Sequence, residues 1–178
     1  MNVMGSKMFE LHSLIPKQFN STIEELKGNC NLRLMKYRVP EINKDCGIGL
    51  APHTDKTTLT ILCQNEVQGL EVLTKTNQWI KLNIPQGGFV VFVGDILKAW
   101  SNGRLHAATH KVKMFGDKER YSVGLLSNPK NDVKIEVPHE LVDQKMHPLR
   151  YRSFYYGDYL DYFCSTFKEN ALDAFIGI

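Results

Sequence analysis

The sequence predicts a mainly β fold, an antiparallel sandwich or barrel such as a jelly roll (double-stranded β-helix), with flanking N- and C-terminal helices. Three observations predict it. From Asn31 to about Val137, short runs rich in β-branched and aromatic residues alternate with turn signals. No long helical pattern interrupts them, which disfavours crossover helices and a parallel sheet. Helical periodicity returns only at the two ends.

In chain order, the first thirty residues read as helical. Phe19, Ile23 and Leu26 lie on one helical face. Thr22 with Glu25 forms a possible capping box, and Gly28-Asn29 a stop. An earlier apolar set, Phe9, Leu11, Leu14 and Ile15, is less regular. Strands are expected at Leu32–Tyr37, Thr57–Cys63, Leu70–Leu73, Trp79–Leu82, Phe89–Val93, Ala107–Lys113, Arg120–Leu126 and Val133–Val137. Thr76-Asn77, Pro85 to Gly88, Asn102-Gly103 and Gly116-Asp117 supply the turns between them. After Pro148, a helix is expected with Tyr156, Leu160, Phe163 and Phe167 on one face, packed across the sheet. The chain therefore divides into a helical segment at 1–30, a β core at 31–138 and a C-terminal loop and helix at 139–178.

Composition narrows the function classes. The chain has 178 residues, 43% of them apolar, enough for one domain with a core. Net charge is +3, and the basic residues are scattered rather than clustered, against nucleic-acid binding. The longest apolar run, Phe89 to Val93, is too short to span a bilayer. Met1 to Glu10 lacks the apolar stretch of a secretory signal. Cys30, Cys46, Cys63 and Cys164 show no Cys-x-x-Cys spacing. A cytoplasmic setting with free thiols is the expectation.

One short motif suggests metal chemistry. In extended backbone His53 and Asp55, two apart in Pro52-His53-Thr54-Asp55, point to the same face. Two histidines and one carboxylate leave open positions on one side of a metal, the donor set of non-haem iron oxygenases. With six His and nine Asp in the chain, chance alone yields about 0.3 such spacings, so His53 and Asp55 are equally readable as an ordinary loop pair. A third ligand has to come from elsewhere. His106 and His110 both follow the Ser101-Asn102-Gly103 turn, and spacing does not choose between them. Further on, Arg120 and Ser122 share a strand face, where a planar guanidinium fork and a hydroxyl suit a carboxylate. The plain alternative is Arg120 paired with Glu119 or Asp117.

Taken together and in order, these residues closely resemble the plant 2-oxoglutarate- and iron(II)-dependent dioxygenase family, from about Leu32 to Tyr162. The resemblance rests on His53-Thr54-Asp55, Gly94-Asp95-Ile96-Leu97, Ser101-Asn102-Gly103, His110-Lys111-Val112, Arg120-Tyr121-Ser122 and Asn128-Pro129, with Gly69-Leu70 and Trp79 also in place. It implies His53, Asp55 and His110 as ligands of Fe(II), His106 falling where the family usually has Lys. It implies Arg120 and Ser122, with Tyr37, as the site for the far carboxylate of 2-oxoglutarate. A relative using ascorbate instead could share Arg-x-Ser. The implied reaction is hydroxylation, desaturation or demethylation of a small molecule by O2, with release of succinate and CO2, in a monomer that binds neither nucleic acid nor membrane. Leu34 to Pro40 looks like the branch with glucosinolate side-chain-modifying dioxygenases, although Lys36 stands where the family often has Asn. The family also carries a substantial N-terminal region before this core, so a truncated chain that keeps the metal site but is impaired in turnover is the alternative expectation.

Overall fold

The computed structural model describes Leu26, residues 28–39 and residues 46–178. The helix expected before Gly28 therefore lies outside the described residues, apart from Leu26, which is helical and buried. Eight strands form two four-stranded antiparallel sheets. They are β1 (Asn29–Tyr37), β2 (Cys46–His53), β3 (Leu59–Gln64), β4 (Leu70–Leu73), β5 (Trp79–Lys81), β6 (Val90–Val93), β7 (His110–Phe115) and β8 (Arg120–Asn128). One sheet has the order β1-β8-β3-β6 and the other β2-β7-β4-β5. Apart from the β4-β5 hairpin, successive strands alternate between the sheets. That winding closes a jelly roll and keeps one apolar face of each sheet turned inward.

The core between the sheets confirms the pairing of faces. Tyr37, Leu62 and Phe92 from the first sheet and Leu70, Val112 and Met114 from the second form one buried cluster. The alternating burial along β7 and β8 is the period of two expected when only one face is covered. A second cluster joins α1 (Asp95–Trp100), α2 (Tyr156–Thr166) and α3 (Ala171–Ile176) to the short pair β9 (Lys134–Ile135) and β10 (Phe154–Tyr155).

Four differences from the sequence expectation bear on the site. Strand β2 was not anticipated, because Gly47, Gly49 and Pro52 read as a loop. Gly49 is there for space: a Cβ on it would stand 2.8 Å from Tyr37 Cδ1 and 3.2 Å from Val112 Cγ1. Helix α1 was also not anticipated, being only six residues long. Its N-cap, Gly94, lies so close to Thr57 that a Cβ would meet that carbonyl oxygen at 1.9 Å. The strand expected at 133–137 is reduced to Lys134–Ile135. The C-terminal helix ends at Phe167, which takes a left-handed conformation (φ 50°) and is exposed, and Tyr159 rather than Leu160 is its fully buried residue. No helix among the described residues is long and apolar enough to cross a membrane.

Candidate metal centre and anion clamp

Strand register brings the metal candidates together. In the β2-β7 pair His53 stands directly opposite His110. Two register shifts in β2, between Ile48 and Leu50 and between Leu50 and His53, re-aim the end of the strand, the usual consequence of a bulge. Asp55 follows two residues later. One donor atom from each of His53, Asp55 and His110 lies within 4.8 Å of the others, a cluster that His106 does not join. His106 is exposed, whereas His110 is buried and stacks on Phe92 at 4.1 Å between ring centroids.

Each imidazole is oriented by its own backbone. His53 Nδ1 donates to the carbonyl of Ala51 at 2.8 Å, and His110 Nδ1 to that of Ala108 at 3.1 Å. A carbonyl only accepts, so in each neutral ring the lone pair lies on Nε2, the arrangement that prepares a histidine for a metal. The two Nε2 atoms lie 3.6 and 3.8 Å from Asp55 Oδ1. Burial lowers the pKa of His110 and keeps it neutral, against the pull of Asp55. Burial also opposes charge on His53 and Asp55, but the attraction of each for the other across 3.6 Å, with their further neighbours, outweighs it, raising His53 and lowering Asp55. Asp55 Oδ2 is buried with no hydrogen-bond partner. A buried, unpaired carboxylate oxygen is costly unless something binds it. Two neutral-capable Nε2 atoms and this oxygen fit a divalent cation, and the set of donors fits Fe(II).

The second half of the site lies on the other sheet. Arg120 is fully buried, and Tyr37 pairs with it in register across β1 and β8. Ser122 pairs with Gln64 across β8 and β3. Arg120 donates from Nη2 to Gln64 Oε1 at 2.7 Å and from Nη1 to Ser122 Oγ at 3.4 Å. Its guanidinium carbon sits 4.8 Å from the centre of the Tyr37 ring. The Tyr37 hydroxyl itself donates to Met35 Sδ at 3.4 Å. Glu119, the surface acid weighed as a partner for Arg120, is instead bonded to Lys36 at 2.9 Å and to the Tyr121 hydroxyl at 2.5 Å. Both side-chain partners of the guanidinium are thus neutral, and Arg120 Nε is buried without a partner. A buried cation with spare donors and neutral neighbours fits an incoming carboxylate.

Gln64 is the residue that sequence reasoning missed. The available signal was the alternation Thr60, Leu62, Gln64 along β3, which places all three on the inward face. Gln64 is itself held, donating from Nε2 to Val67 O at 3.2 Å and to Gln68 Oε1 at 2.9 Å.

The 2OG-Fe(II) oxygenase superfamily profile matches residues 29–129. The chain is 43% identical over 179 residues to the probable 2-oxoglutarate-dependent dioxygenase AOP1.2 of Arabidopsis thaliana, covering 97% of this chain and 54% of that protein. It is 37% identical to the 2-oxoglutarate-dependent dioxygenase AOP3 of the same plant, over 78% of this chain and 34% of that protein. Among solved structures, the rice dioxygenase for auxin oxidation superposes with a TM-score of 0.74 at 36% identity, covering 84% of this chain and 51% of that one. JOX2, solved with 2OG, Fe and JA, superposes with a TM-score of 0.68 at 30% identity, over 79% of this chain and 42% of that one. The chain spans about half the length of the AOP1-type relatives it matches. On the profile match and the identity to these dioxygenases, the chain belongs to the 2OG-Fe(II) oxygenase superfamily.

Proposed function

We propose that this chain is the oxidising core of an Fe(II)- and 2-oxoglutarate-dependent dioxygenase acting on a small specialised metabolite or hormone. His53, Asp55 and His110 hold the metal, and Arg120, Ser122 and Tyr37 receive the far carboxylate of 2-oxoglutarate. The observation that carries the reading is two buried, unsatisfied atoms on facing sheets of the sandwich or the loop between them: Asp55 Oδ2, which calls for a cation, and Arg120 Nε, which calls for an anion. The AOP dioxygenases, the rice dioxygenase for auxin oxidation and JOX2, solved with JA, support the choice of a small organic substrate.

Each residue has a stated task. The backbone-anchored imidazoles present Nε2 with little rotational freedom, so little order has to be imposed on binding. Asp55, held anionic, supplies the one full negative charge of the donor set. Arg120 gives a charge-assisted fork in a water-poor pocket, where such a contact is strongest. Ser122 adds a hydroxyl, and the Tyr37 ring backs the guanidinium. When bound, the iron and 2-oxoglutarate supply the oxidising chemistry, yielding succinate and CO2 as the substrate is hydroxylated, desaturated or demethylated.

The test is anaerobic titration of the Fe(II)-loaded chain with 2-oxoglutarate, followed by visible charge-transfer absorption, and then by succinate release in air. The wild-type chain develops the absorption. Asp55→Ala loses both the absorption and Fe(II) binding. Retained 2-oxoglutarate-dependent absorption in Asp55→Ala would sink the ligand assignment.

A further inference from the structure

The Gly94-Asp95-Ile96-Leu97 stretch has no part in the ligand set or the clamp, yet it hydrogen-bonds the metal loop through both backbone and side chain. Asp95 opens α1 and is only 3% exposed. Its amide donates to the carbonyl oxygen of Asp55 at 2.8 Å. Its Oδ2 accepts three hydrogen bonds: from Tyr159 Oη at 2.6 Å, from Lys56 Nζ at 2.7 Å and from Thr54 Oγ1 at 3.1 Å. Lys56 Nζ also donates to Thr54 Oγ1 at 2.8 Å and lies 4.8 Å from the centre of the Phe163 ring.

We propose that Asp95, with Lys56 and Tyr159, is a positioning device for the Asp55 carboxylate, through which the C-terminal helix α2 sets the affinity of the metal site. The proposal rests on the assignment of Asp55 as a metal ligand. Residues 54 and 56 flank the ligand just beyond the end of β2, and both side chains reach Asp95 Oδ2. Tying both to one buried carboxylate, and the carbonyl of Asp55 to the adjoining amide, fixes the direction in which Asp55 projects. That matters because Asp55 Oδ2 has no hydrogen-bond partner of its own to orient it. The carboxylate of Asp95 is buried at a cost, offset by the Lys56 ammonium and two hydroxyl donors. Tyr159 is wholly buried on α2, so loss of its hydroxyl leaves a buried acceptor short of a donor without changing the packing of the ring. Outer contacts of this kind typically change metal affinity by about 10–100-fold.

The test is the affinity of the metal-free chain for Co(II), measured by calorimetry and by the visible spectrum of the bound ion, below the melting temperature of every variant. Lys56→Met and Tyr159→Phe are each expected to weaken Co(II) binding about tenfold and to alter its spectrum, with Lys56→Arg recovering part of the loss. Leu172→Val, in the same helical layer but without a contact to the loop, is expected to lower the melting temperature and leave Co(II) affinity within about twofold of wild type. Wild-type affinity in both Lys56→Met and Tyr159→Phe, or equal weakening in Leu172→Val, overturns the positioning role while Asp55→Ala still identifies the ligand. Failure of the wild-type chain to bind Co(II), or unchanged binding in Asp55→Ala, overturns the metal assignment and this proposal together.

Discussion

On the proposed assignment, the two sheets carry unlike halves of one site. The metal half lies at the end of β2 and β7, and its His53 side chain remains 31% exposed. The proposed anion half lies at the start of β8, opposite the last residue of β1, where Arg120 is 0% exposed. A metal ion is small and can be gathered by a local turn and one cross-strand pair, and it needs a side open to its other ligands. A carboxylate is bound best by a cation stripped of water, whose attraction grows as the local dielectric falls. The cation must also keep its charge unspent, which is why Arg120 is surrounded by Gln64, Ser122 and the Tyr37 ring rather than by an acid. The comparison teaches that the proposed anion subsite rests on burial and neutral partners, whereas the metal candidates rest on a local turn and one cross-strand pair.

If the halves are separable, variants in one leave the other intact. The largest effect is expected from Arg120→Ala. Truncating the buried cation removes roughly 3 kcal/mol of binding, about a hundredfold in the dissociation constant of 2-oxoglutarate. Co(II) affinity stays within about twofold, as calorimetry on both ligands will show; a parallel loss of metal binding would make the site a single cooperative unit. Gln64→Glu is the sharper variant. It places a fixed carboxylate 2.7 Å from Arg120 Nη2 in nearly the same shape, so it competes with the incoming anion. A weakening of 2-oxoglutarate binding by about tenfold is expected, on the scale of one charge-assisted hydrogen bond. Tighter binding in Gln64→Glu would contradict the view that neutral partners preserve the cation.

The smallest effect tests a third region, the helical layer, as a control. Burial raises the pKa of Asp173, but hydrogen bonds from Lys98 at 3.0 Å and from Tyr151 outweigh it, and the net shift is downward. A carboxylate with a lowered folded-state pKa contributes stability that is present above its ordinary value near 3.8 and is lost as pH falls through the folded value. Asp173→Asn is therefore expected to flatten the acid side of the stability profile slightly, because the side chain is half exposed. Thermal melts between neutral and acidic pH will measure it. Ligand affinities at neutral pH should not move, since Asp173 contacts neither half.

Much of the fold was legible because most strands alternate with a period of two and are bounded by turn residues. The exceptions have physical causes. β2 lacks the signal because glycine is required at 49 to admit the Tyr37 ring, so the strand that presents His53 looks like a loop. α1 is too short for a helical period to show. At the site, His-x-Asp and Arg-x-Ser were visible as local pairs, since residues two apart in a strand share a face. Gln64 was not, because nothing local distinguishes it from any other inward polar residue.

By itself the sequence determined what local periodicity and composition can determine: a β-rich chain, its turns, and two short polar pairs of the right chemistry. Only the tertiary structure decided which of these meet. Spacing left His106 and His110 equal, and the register of β2 against β7 sets His110 opposite His53. Register likewise set Gln64 beside Ser122, and packing of α2 brought Tyr159 to Asp95 and so to the metal loop. The reason is that a strand's register and a helix's docking depend on partners many residues away, which local spacing does not encode. The two ends of the site are thus written in the chain, and their convergence is written in the fold.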